Sequence, residues 1–406
     1  MANITPFKAV RPVRNKVQLV SSRPYYTYEK SHLKAKLETN PYSFLHVINP
    51  EFKKDHGTKP NSIERFKLVK NNYDQFKKNK LFVQESTKSF YVYKQSSSIG
   101  SFIGLIAGAS VKDYENDVIK KHENTLLKRE KLFKKYLDVC QFHAEPVLLS
   151  YDTPSIVKKI ISKKTKERAE YEFTTTDQKN HELWIINDST SINEIIFAFK
   201  EIDKIYIADG HHRAASSKLY HDDHKNQQSS QFFLSMFIDF KDVNIIEFNR
   251  VVKNISPLDD TSFLQNLSTS FHIESLGTQM ANPKNKKEIG LYLNGNWHLI
   301  TLKDELLNKL NYKEKLNSQI VSDFILNPIL NIPDLRKDKR VEFISGLNTN
   351  DQVLKRIEKN SNAILLKLFP HKMEEIIHIA DLNQIMPPKS TWIEPKLRSG
   401  ITIYEY

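Results

Sequence analysis

The stretch that decides the fold is KIYIADGHHRAASSKLYH, residues 204–221. Its first part is rich in β-branched and aromatic residues up to Asp209, which predicts a buried β-strand. Its second part is rich in alanine and serine and contains no proline, which predicts an α-helix from His211. The first backbone N–H groups of a helix lack intrahelical partners and carry a partial positive charge. The turn at Gly210 is therefore predicted to bind an anion such as phosphate.

The side chains of this turn support that prediction. Gly210 lets the backbone approach an anion closely, and Arg213 can offer two parallel N–H donors to its oxygens. His211 and His212 can donate to phosphate or transfer a proton near neutral pH, and Asp209 can cap the helix, hold Mg²⁺ or orient a histidine. The alternative is an ordinary Asp N-cap followed by two surface histidines. Several polar groups directly after a buried strand favour the binding site.

Composition excludes several other kinds of site. The chain has 406 residues and only ten glycines, where average usage of about 7% would give nearly three times as many. No Rossmann glycine fingerprint, P-loop or nucleophile elbow is present. Cys140 is the single cysteine, which excludes disulfides, cysteine-rich zinc sites and Fe–S clusters. A cytoplasmic protein is expected, without a signal peptide or a membrane span, because the apolar stretch 99–111 is too short to cross a bilayer.

The formal net charge of +13 says less about function than the positions of the arginines do. Most of the cations are lysines on segments with helical spacing and intervening acids, which favours solvated helix faces over a nucleic-acid surface. Arginine is selected where a planar fork must hold phosphate or carboxylate. Arg11, Arg14, Arg23 and Arg213 stand in unusual contexts, and Arg11 and Arg23 join Arg213 as candidate phosphate ligands.

A second constellation is VIKKHENT, residues 118–125, at the start of a predicted long helix. Glu123 is the candidate general base for a hydroxyl group, with His122 assisting and Lys128 pairing with an anionic substrate. The zinc motif H-E-x-x-H is excluded because position 126 is leucine. Taken alone, the segment also fits a polar helix start capped by Thr125.

Two further clusters leave alternatives open. His221 and His224 lie beside two aspartates at a spacing suitable for a metal, although a polar helix end is the commoner explanation. The segment MPPKSTWIEPK, residues 386–396, holds too many prolines for regular structure. Its alternatives are a tail packed by Trp392 and a loop, residues 386–398, that returns to the site. In the second case its candidate substrate contacts are Lys389, Ser390, Thr391 and Lys396.

The remaining pattern predicts a mixed α/β (α+β) chain of two domains. Residues 1–255 form the predicted core and residues 256–406 an α+β domain. Within the core we expect SFLHVI (43–48) as a strand, residues 116–139 as one long helix, and NIIEFNRVV (244–252) as strands of the same core. Further predictions are helices at 29–38, 62–78, 155–166 and 192–201, antiparallel strands in 81–111, a hairpin at Asn294–Gly295 and a terminal strand ITIYEY.

Six separated blocks carry a resemblance that begins at Pro6 and runs through the chain. They are NPYSFLHVINP, YVYKQ, DYENDVIKKHENT, EPVLLSYD, YIADGHHRAASS and IMPPKSTWIEPKLRSG. In order and spacing they resemble a large, mostly uncharacterised bacterial family of similar length. That family is described as related to the ParB/sulfiredoxin-like fold and to the free serine kinases.

The resemblance implies a ParB/sulfiredoxin-like nucleotide-binding core in which the turn Gly210-His211-His212-Arg213 matches a shared phosphate-binding G-x-x-R element. It implies ATP or ADP with Mg²⁺, the metal held at Asp209, and phosphoryl transfer to the hydroxyl of a small amino acid such as serine. The alternative it leaves is a nucleotide-binding regulator that associates with DNA or a protein. The catalytic glutamate near the N-terminus of the serine kinases has no motif match here. Glu29 is nearest by position, and Glu123, with His122, Asp209 and His211, remains the predicted catalytic set.

Overall fold

The computed structural model describes residues 1–53, 57–357 and 362–406. These residues divide into two units, one of Met1–Val243 with Pro395–Tyr406 and one of Asn244–Glu394. The division predicted after residue 255 would leave NIIEFNRVV with the first unit, whereas the structure assigns this segment to the second. The assignment of nucleotide binding to the first part of the chain stays a prediction.

The first unit is built around a mixed sheet, and it also contains strands outside that sheet. Its strands, in chain order, are β1 (Ile4–Thr5), β2 (Val10–Pro12), β3 (Phe82–Gln84), β4 (Phe90–Ser97), β5 (Gly100–Ser110), β6 (Ile119–Lys120), β7 (Phe142–His143), β8 (Val147–Tyr151), β9 (Tyr171–Thr174), β10 (Asn180–Ile186), β11 (Ile205–Asp209) and β12 (Phe232–Asp239). Nine of them form one sheet in the order β6-β11-β8-β12-β5-β4-β10-β9, with β1 beside β5. The pairs β6–β11 and β8–β12 are parallel and the others antiparallel.

Helices cover this sheet because each presents an apolar face to it or to a neighbouring helix. In α8, for example, Asp188 accepts from the Ser191 N–H as N-cap, and Ile195 and Phe199 are fully buried in the sheet's core. The helices are α1 (Val17–Val20), α2 (Lys30–Thr39), α3 (Leu45–Ile48), α4 (Ile63–Lys78), α5 (Val111–Glu115), α6 (Leu127–Cys140), α7 (Ser155–Lys164), α8 (Ser189–Lys200) and α9 (His211–Asp223). A second core lies around α4 and α6, with Phe66, Tyr73 and Phe142 at its centre.

The second unit is an antiparallel sheet with helices. Its strands are β13 (Asn244–Ile246), β14 (Phe248–Val252), β15 (Phe271–Gly277), β16 (Glu288–Leu293), β17 (Asn296–Leu302), β18 (Val341–Ser345), β19 (Ile364–Lys367) and β20 (Trp392–Glu394). Six pair in the order β15-β17-β16-β19-β14-β18, and β13 pairs with β20. Its helices are α10 (Asp260–Ser268), α11 (Asp304–Leu307), α12 (Asn317–Val321), α13 (Asn350–Ile357) and α14 (Met373–Asp381), and a π-helical turn, Ser322–Leu326, follows α12. Asn294 and Gly295, both with positive φ, close the predicted β16–β17 hairpin.

The last strand, β21 (Tyr404–Glu405), belongs to the first unit, where it pairs antiparallel with β7. The chain is thus mixed α/β, with one mixed and one antiparallel large sheet. No helix within the described ranges is long and apolar enough to cross a membrane.

Three of the predicted elements are wrong. SFLHVI, predicted as a strand, contains the helix α3. Its residues Leu45, His46 and Val47 are all buried, and a short run buried on every side has no period that distinguishes a helix from a strand. The long helix predicted from residue 116 begins only at Leu127, since Asp117 has φ 57° and Ile119 pairs with β11. The strands within NIIEFNRVV join β18, β19 and β20 rather than β12, because an apolar pattern marks a buried strand without naming its sheet.

Candidate functional site

The turn between β11 and α9 has the geometry of an uncapped helix start. β11 is buried up to Ala208, and Gly210 occupies the N-cap position with φ 103° and no side-chain cap. A Cβ at this position would lie 2.8 Å from Arg213 Nη2. The positive φ therefore favours glycine, and a Cβ here would displace the guanidinium of Arg213. The alternative of an ordinary Asp N-cap is excluded, because Asp209 precedes the cap position.

Arg213 folds back over this turn between two carboxylates. Its Nη1 lies 2.6 Å from Glu145 Oε1, and its Nη2 lies 3.3 Å from Asp209 Oδ2. The other oxygen of Asp209, Oδ1, lies 3.3 Å from Lys396 Nζ. We call these four residues, Glu145, Arg213, Asp209 and Lys396, the turn quartet. Its two cations and two carboxylates balance, so an incoming anion must compete with carboxylates for the same donors.

Glu145 is the site residue that the sequence analysis missed. Burial raises the pKa of its carboxyl group and the Asp209 charge adds to this, while Arg213 opposes it. A signal existed in the strand order: EPVLLSYD and KIYIADG pair antiparallel, with Leu148 opposite Asp209. Glu145, two residues before β8, is therefore brought to the end of β11. A lone glutamate in sequence gives no indication of that pairing.

Two buried histidines lie beside the turn. The rings of His122 and His211 meet edge to face with centroids 4.4 Å apart, and the His122 backbone N–H points at His211 Nε2 from 3.5 Å. Burial lowers the pKa of His122 to about 4 against the opposing charge of Asp209, and burial also lowers the pKa of His211. Both imidazoles are consequently neutral at pH 7 and add no positive charge to the site.

Glu123, a member of the predicted catalytic set, also lies beside His211. Its Oε2 lies 3.6 Å from His211 Nδ1, and its side chain is about half exposed, at 47%. Since His211 Nε2 faces a backbone N–H, the ring proton of the neutral imidazole belongs on Nδ1, toward the carboxylate. The arrangement orients Glu123 while leaving it accessible to a ligand.

A cavity of about 190 Å³ opens beside Arg213 and Glu145. Ser216 and Ser399 add hydroxyl groups to its wall. The rest of the lining is mainly apolar and aromatic and includes Phe44, Ile48, Phe133, Tyr136, Leu137 and Phe142. An apolar cavity that ends at a few charged groups is the usual form of a small-molecule site.

Comparison with known proteins gives the family. The family described as "Protein of unknown function (DUF1015)" matches residues 4–324. The chain belongs to this family. The match confirms the resemblance to an uncharacterised family drawn from the six sequence blocks. No curated protein matches the chain.

Three solved structures are similar to this DUF1015 chain. C-terminally truncated SbnI from Staphylococcus aureus has a TM-score of 0.40 and 13% identity, covering 73% of this chain and 85% of its own. A conserved hypothetical protein from Pyrococcus furiosus has a TM-score of 0.36 and 12% identity, covering 74% and 94%. A free serine kinase in complex with AMP has a TM-score of 0.36 and 13% identity, covering 74% and 91%.

Arg11, predicted as a phosphate ligand, is engaged elsewhere in the first unit. Its guanidinium contacts Glu85, lies 3.0 Å from Glu170 Oε1 and donates to Tyr171 Oη at 2.7 Å. These partners lie on strands or loops outside the β11–α9 turn. Arg23 lies over the ring of Tyr28, with its Cζ 4.4 Å from the ring centroid. The structure does not bring either arginine into the turn quartet.

The predicted substrate loop is divided between the units. Lys396 lies in the first unit and contacts Asp209, whereas Lys389, Ser390 and Thr391 lie in the second. The Ser390 hydroxyl is buried there, within hydrogen-bonding distance of Ser318 Oγ and the Pro387 carbonyl. Of the four predicted substrate contacts, the geometry joins Lys396 to the turn.

His221 and His224 have protein partners of their own. His221 Nδ1 lies 2.8 Å from Ser230 Oγ, and His224 Nδ1 lies 2.8 Å from the Tyr220 carbonyl. Within the described part of the chain, no three His, Cys, Asp or Glu side chains are grouped to hold a metal. Any Mg²⁺ at Asp209 would thus take most of its ligands from a bound phosphate and water.

Proposed function

We propose that the chain binds a nucleotide at the β11–α9 turn and transfers its terminal phosphoryl group to the hydroxyl of a small metabolite such as serine. The observation that carries this is the uncapped helix start at Gly210, with Arg213 folded over it beside a cavity. Backbone N–H groups and a forked guanidinium at one point suit phosphoryl oxygens. We also propose that the core of the first unit has a ParB/sulfiredoxin-like fold.

The nucleotide would lie with its phosphates at the turn and its base in the cavity. Phe142 and Tyr136 offer aromatic faces in the cavity wall, and Arg213 stands at the cavity's polar end. Binding requires the phosphate to displace Glu145 or Asp209 from the guanidinium. The pKa of Glu145, raised by burial, makes that carboxylate the easier one to neutralise and release.

Glu123 is the proposed general base. The acceptor hydroxyl oxygen attacks the terminal phosphorus, its proton passes to Glu123, and the bond from phosphorus to the bridging oxygen breaks as the shortened nucleotide leaves with the electron pair. His211 holds Glu123 in place through Nδ1. Arg213 and Lys396 neutralise charge that accumulates on the phosphoryl oxygens.

The carboxylates fit a magnesium ion as well as a cation side chain. Asp209 and Glu145 present hard oxygen ligands near the site where phosphates would bind. When bound, Mg²⁺ would neutralise phosphate charge and orient the phosphates. Asp209 is the residue proposed to contact it, with Lys396 moving off Oδ1.

A thermal-shift titration with ATP, ADP and AMP, with and without Mg²⁺, tests the binding step. We expect a nucleotide to raise the melting temperature of the wild type, and Arg213→Ala to weaken its affinity about tenfold to a hundredfold. Arg14→Ala is the matched control, because Arg14 is an exposed arginine (58%) paired outside the turn. Equal responses in both variants, or no response in the wild type, would refute nucleotide binding at this turn.

The transfer step is tested by incubating the protein with the nucleotide that binds, Mg²⁺ and each amino acid in turn. Phosphoamino acid should form with the wild type and fall strongly with Glu123→Gln, while nucleotide binding is retained. Nucleotide binding with no transfer product would favour the regulator instead. Its DNA affinity should then respond to nucleotide and fall steeply with salt.

A further inference from the structure

Two arginines, Arg23 and Arg398, lie next to a backbone bridge in the first unit and outside the turn quartet. Ser22 and Ser399 exchange both backbone hydrogen bonds, at 3.3 and 2.9 Å, in an isolated antiparallel bridge. Arg23 and Arg398 are the residues next to this bridge on its two segments, so two guanidinium groups extend from neighbouring backbone positions. Like charges brought close together need compensating negative charge.

Asp177 supplies one such charge to Arg398. Nη2 of Arg398 lies 2.7 Å from each Asp177 oxygen and 3.1 Å from Thr175 Oγ1. The Arg398 side chain is only 4% exposed, yet its Nε is buried without a hydrogen-bond partner. A buried, unpartnered donor of a charged group is costly, so this edge of the guanidinium is suited to an acceptor from outside the chain.

Lys36 of α2 adds a third cation to this place. Burial lowers the pKa of its ammonium group, the charges of Arg398 and Arg23 lower it further, and Asp177 opposes them. Lys36 is about half buried, and no ion pair of its side chain is found among the described residues. Arg23 has the Tyr28 ring beneath it, which does not cancel its charge. Lys36 is thus close enough to feel the charges of both arginines, and Asp177 is the carboxylate that opposes them.

We propose that Arg23, Lys36 and Arg398 form a second anion site that binds the carboxylate or phosphate group of a small molecule. Two guanidinium forks and an ammonium group match the oxygens of either anion. Ser399, the residue that follows Arg398, lines the cavity that ends at Arg213. The second site shares no residue with the turn quartet and does not depend on phosphoryl transfer.

The test uses full-length Arg213→Ala, in which the turn site is disabled, and calorimetric titration with inorganic phosphate and, separately, with succinate. We expect at least one of these anions to bind, and Lys36→Gln or Arg23→Gln added to that variant to weaken its affinity about tenfold or more. The stronger of the two probes identifies the anion as phosphate or carboxylate. Melting curves verify that each variant is folded.

Lys34→Gln is the matched control, because Lys34 lies on the same helix with its side chain 71% exposed and paired with Glu38. It should leave the affinity unchanged. Absence of binding by both anions in Arg213→Ala, or an equal loss with Lys34→Gln and Lys36→Gln, would overturn the second site. Loss of nucleotide stabilisation with Arg213→Ala is a separate result, so the two proposals can fail independently.

Discussion

The turn quartet can be compared with a second group of four charged residues in the same unit, Arg11, Arg14, Glu85 and Glu170. Each group contains two cations and two carboxylates within ion-pair distance. Arg11 extends from strand β2 and is tied to three partners, including the Tyr171 hydroxyl. Arg213 extends from an uncapped helix start and ends at a cavity.

The difference teaches that charge composition alone does not distinguish a site from a structural network. Burial by itself lowers the pKa of the Arg11 guanidinium, but its partners Tyr171 and Glu85 outweigh this and raise that pKa above its ordinary value. At Arg213 the backbone itself offers donors, and the adjacent cavity leaves room for a ligand. Four predictions follow from the contrast and test it in different ways.

The largest effect is expected for Arg11→Ala. It would leave the largely buried Glu85 without its cation and Glu170 with Arg14 alone, which should lower the free energy of unfolding by about 4 kcal/mol. The nucleotide-induced rise in melting temperature should persist in this variant. Urea unfolding measures the first quantity and thermal shift the second. A loss of ligand response with unchanged stability would make the Arg11 group a site and break the comparison.

A slightly smaller effect concerns the acid stability that the buried His122 beside the turn confers. Burial holds the pKa of His122 at about 4, below its unfolded value of about 6.5. The unfolded chain therefore takes up a proton that the folded chain refuses, and stability is lost as pH falls from 6.5 toward 4. His122 contributes about 3 kcal/mol to this loss.

Urea unfolding of the wild type and His122→Gln at pH 7 and pH 4 measures that contribution. The variant should be less stable than the wild type at pH 7, and this deficit should shrink or reverse at pH 4. His221→Gln serves as control, because His221 lies on α9 with its ring bonded to Ser230. Parallel pH profiles for all three proteins would contradict a neutral buried His122.

How much of this site could be read from the sequence depends on how local each part is. The strand to Asp209, the helix from His211 and the roles of Gly210 and Arg213 lie within a few residues, where periodicity and helix-end chemistry act directly. Glu145 and Lys396 arrive from distant segments, through the β8–β11 pairing and the return of the chain's end to the first unit. The proline-rich pattern of residues 386–398 left the return of Lys396 as one of two alternatives, whereas no local pattern encodes the pairing that brings Glu145.

The same distinction explains the errors in the fold. The helices α4, α7 and α8 were predictable because half of each is solvated and its period is visible. SFLHVI is buried on all sides, so its period is lost. The apolar pattern of β14 correctly predicts a buried strand. The sheet to which it belongs is decided by its pairing with β18 and β19, about a hundred residues later in the chain. Sequence periodicity reports only on neighbouring residues and does not reveal such a pairing.

A third prediction addresses the backbone of the turn. Gly210→Ala places a Cβ 2.8 Å from Arg213 Nη2 on a residue with φ 103°, which should lower the free energy of unfolding by about 2 kcal/mol and displace the guanidinium. Nucleotide stabilisation should fall with it. Gly295→Ala is the control, since its φ is also positive but a Cβ there would meet no atom within 4 Å. Comparable destabilisation by both, with nucleotide response intact, would reduce Gly210 to a turn residue.

The smallest effect should come from removing a competitor for Arg213. Glu145→Gln keeps the size of the side chain but removes the negative charge 2.6 Å from Nη1, so a phosphate no longer has to displace a carboxylate there. Inorganic phosphate should bind several-fold more tightly, a gain of about 1 kcal/mol, measured by calorimetric titration. Glu170→Gln removes the corresponding carboxylate from the Arg11 group and should leave phosphate affinity unchanged. If Glu145→Gln weakens phosphate binding, then Glu145 positions Arg213 for the anion rather than competing with it. The carboxylates of the turn quartet would then hold their arginine in place, as those around Arg11 do.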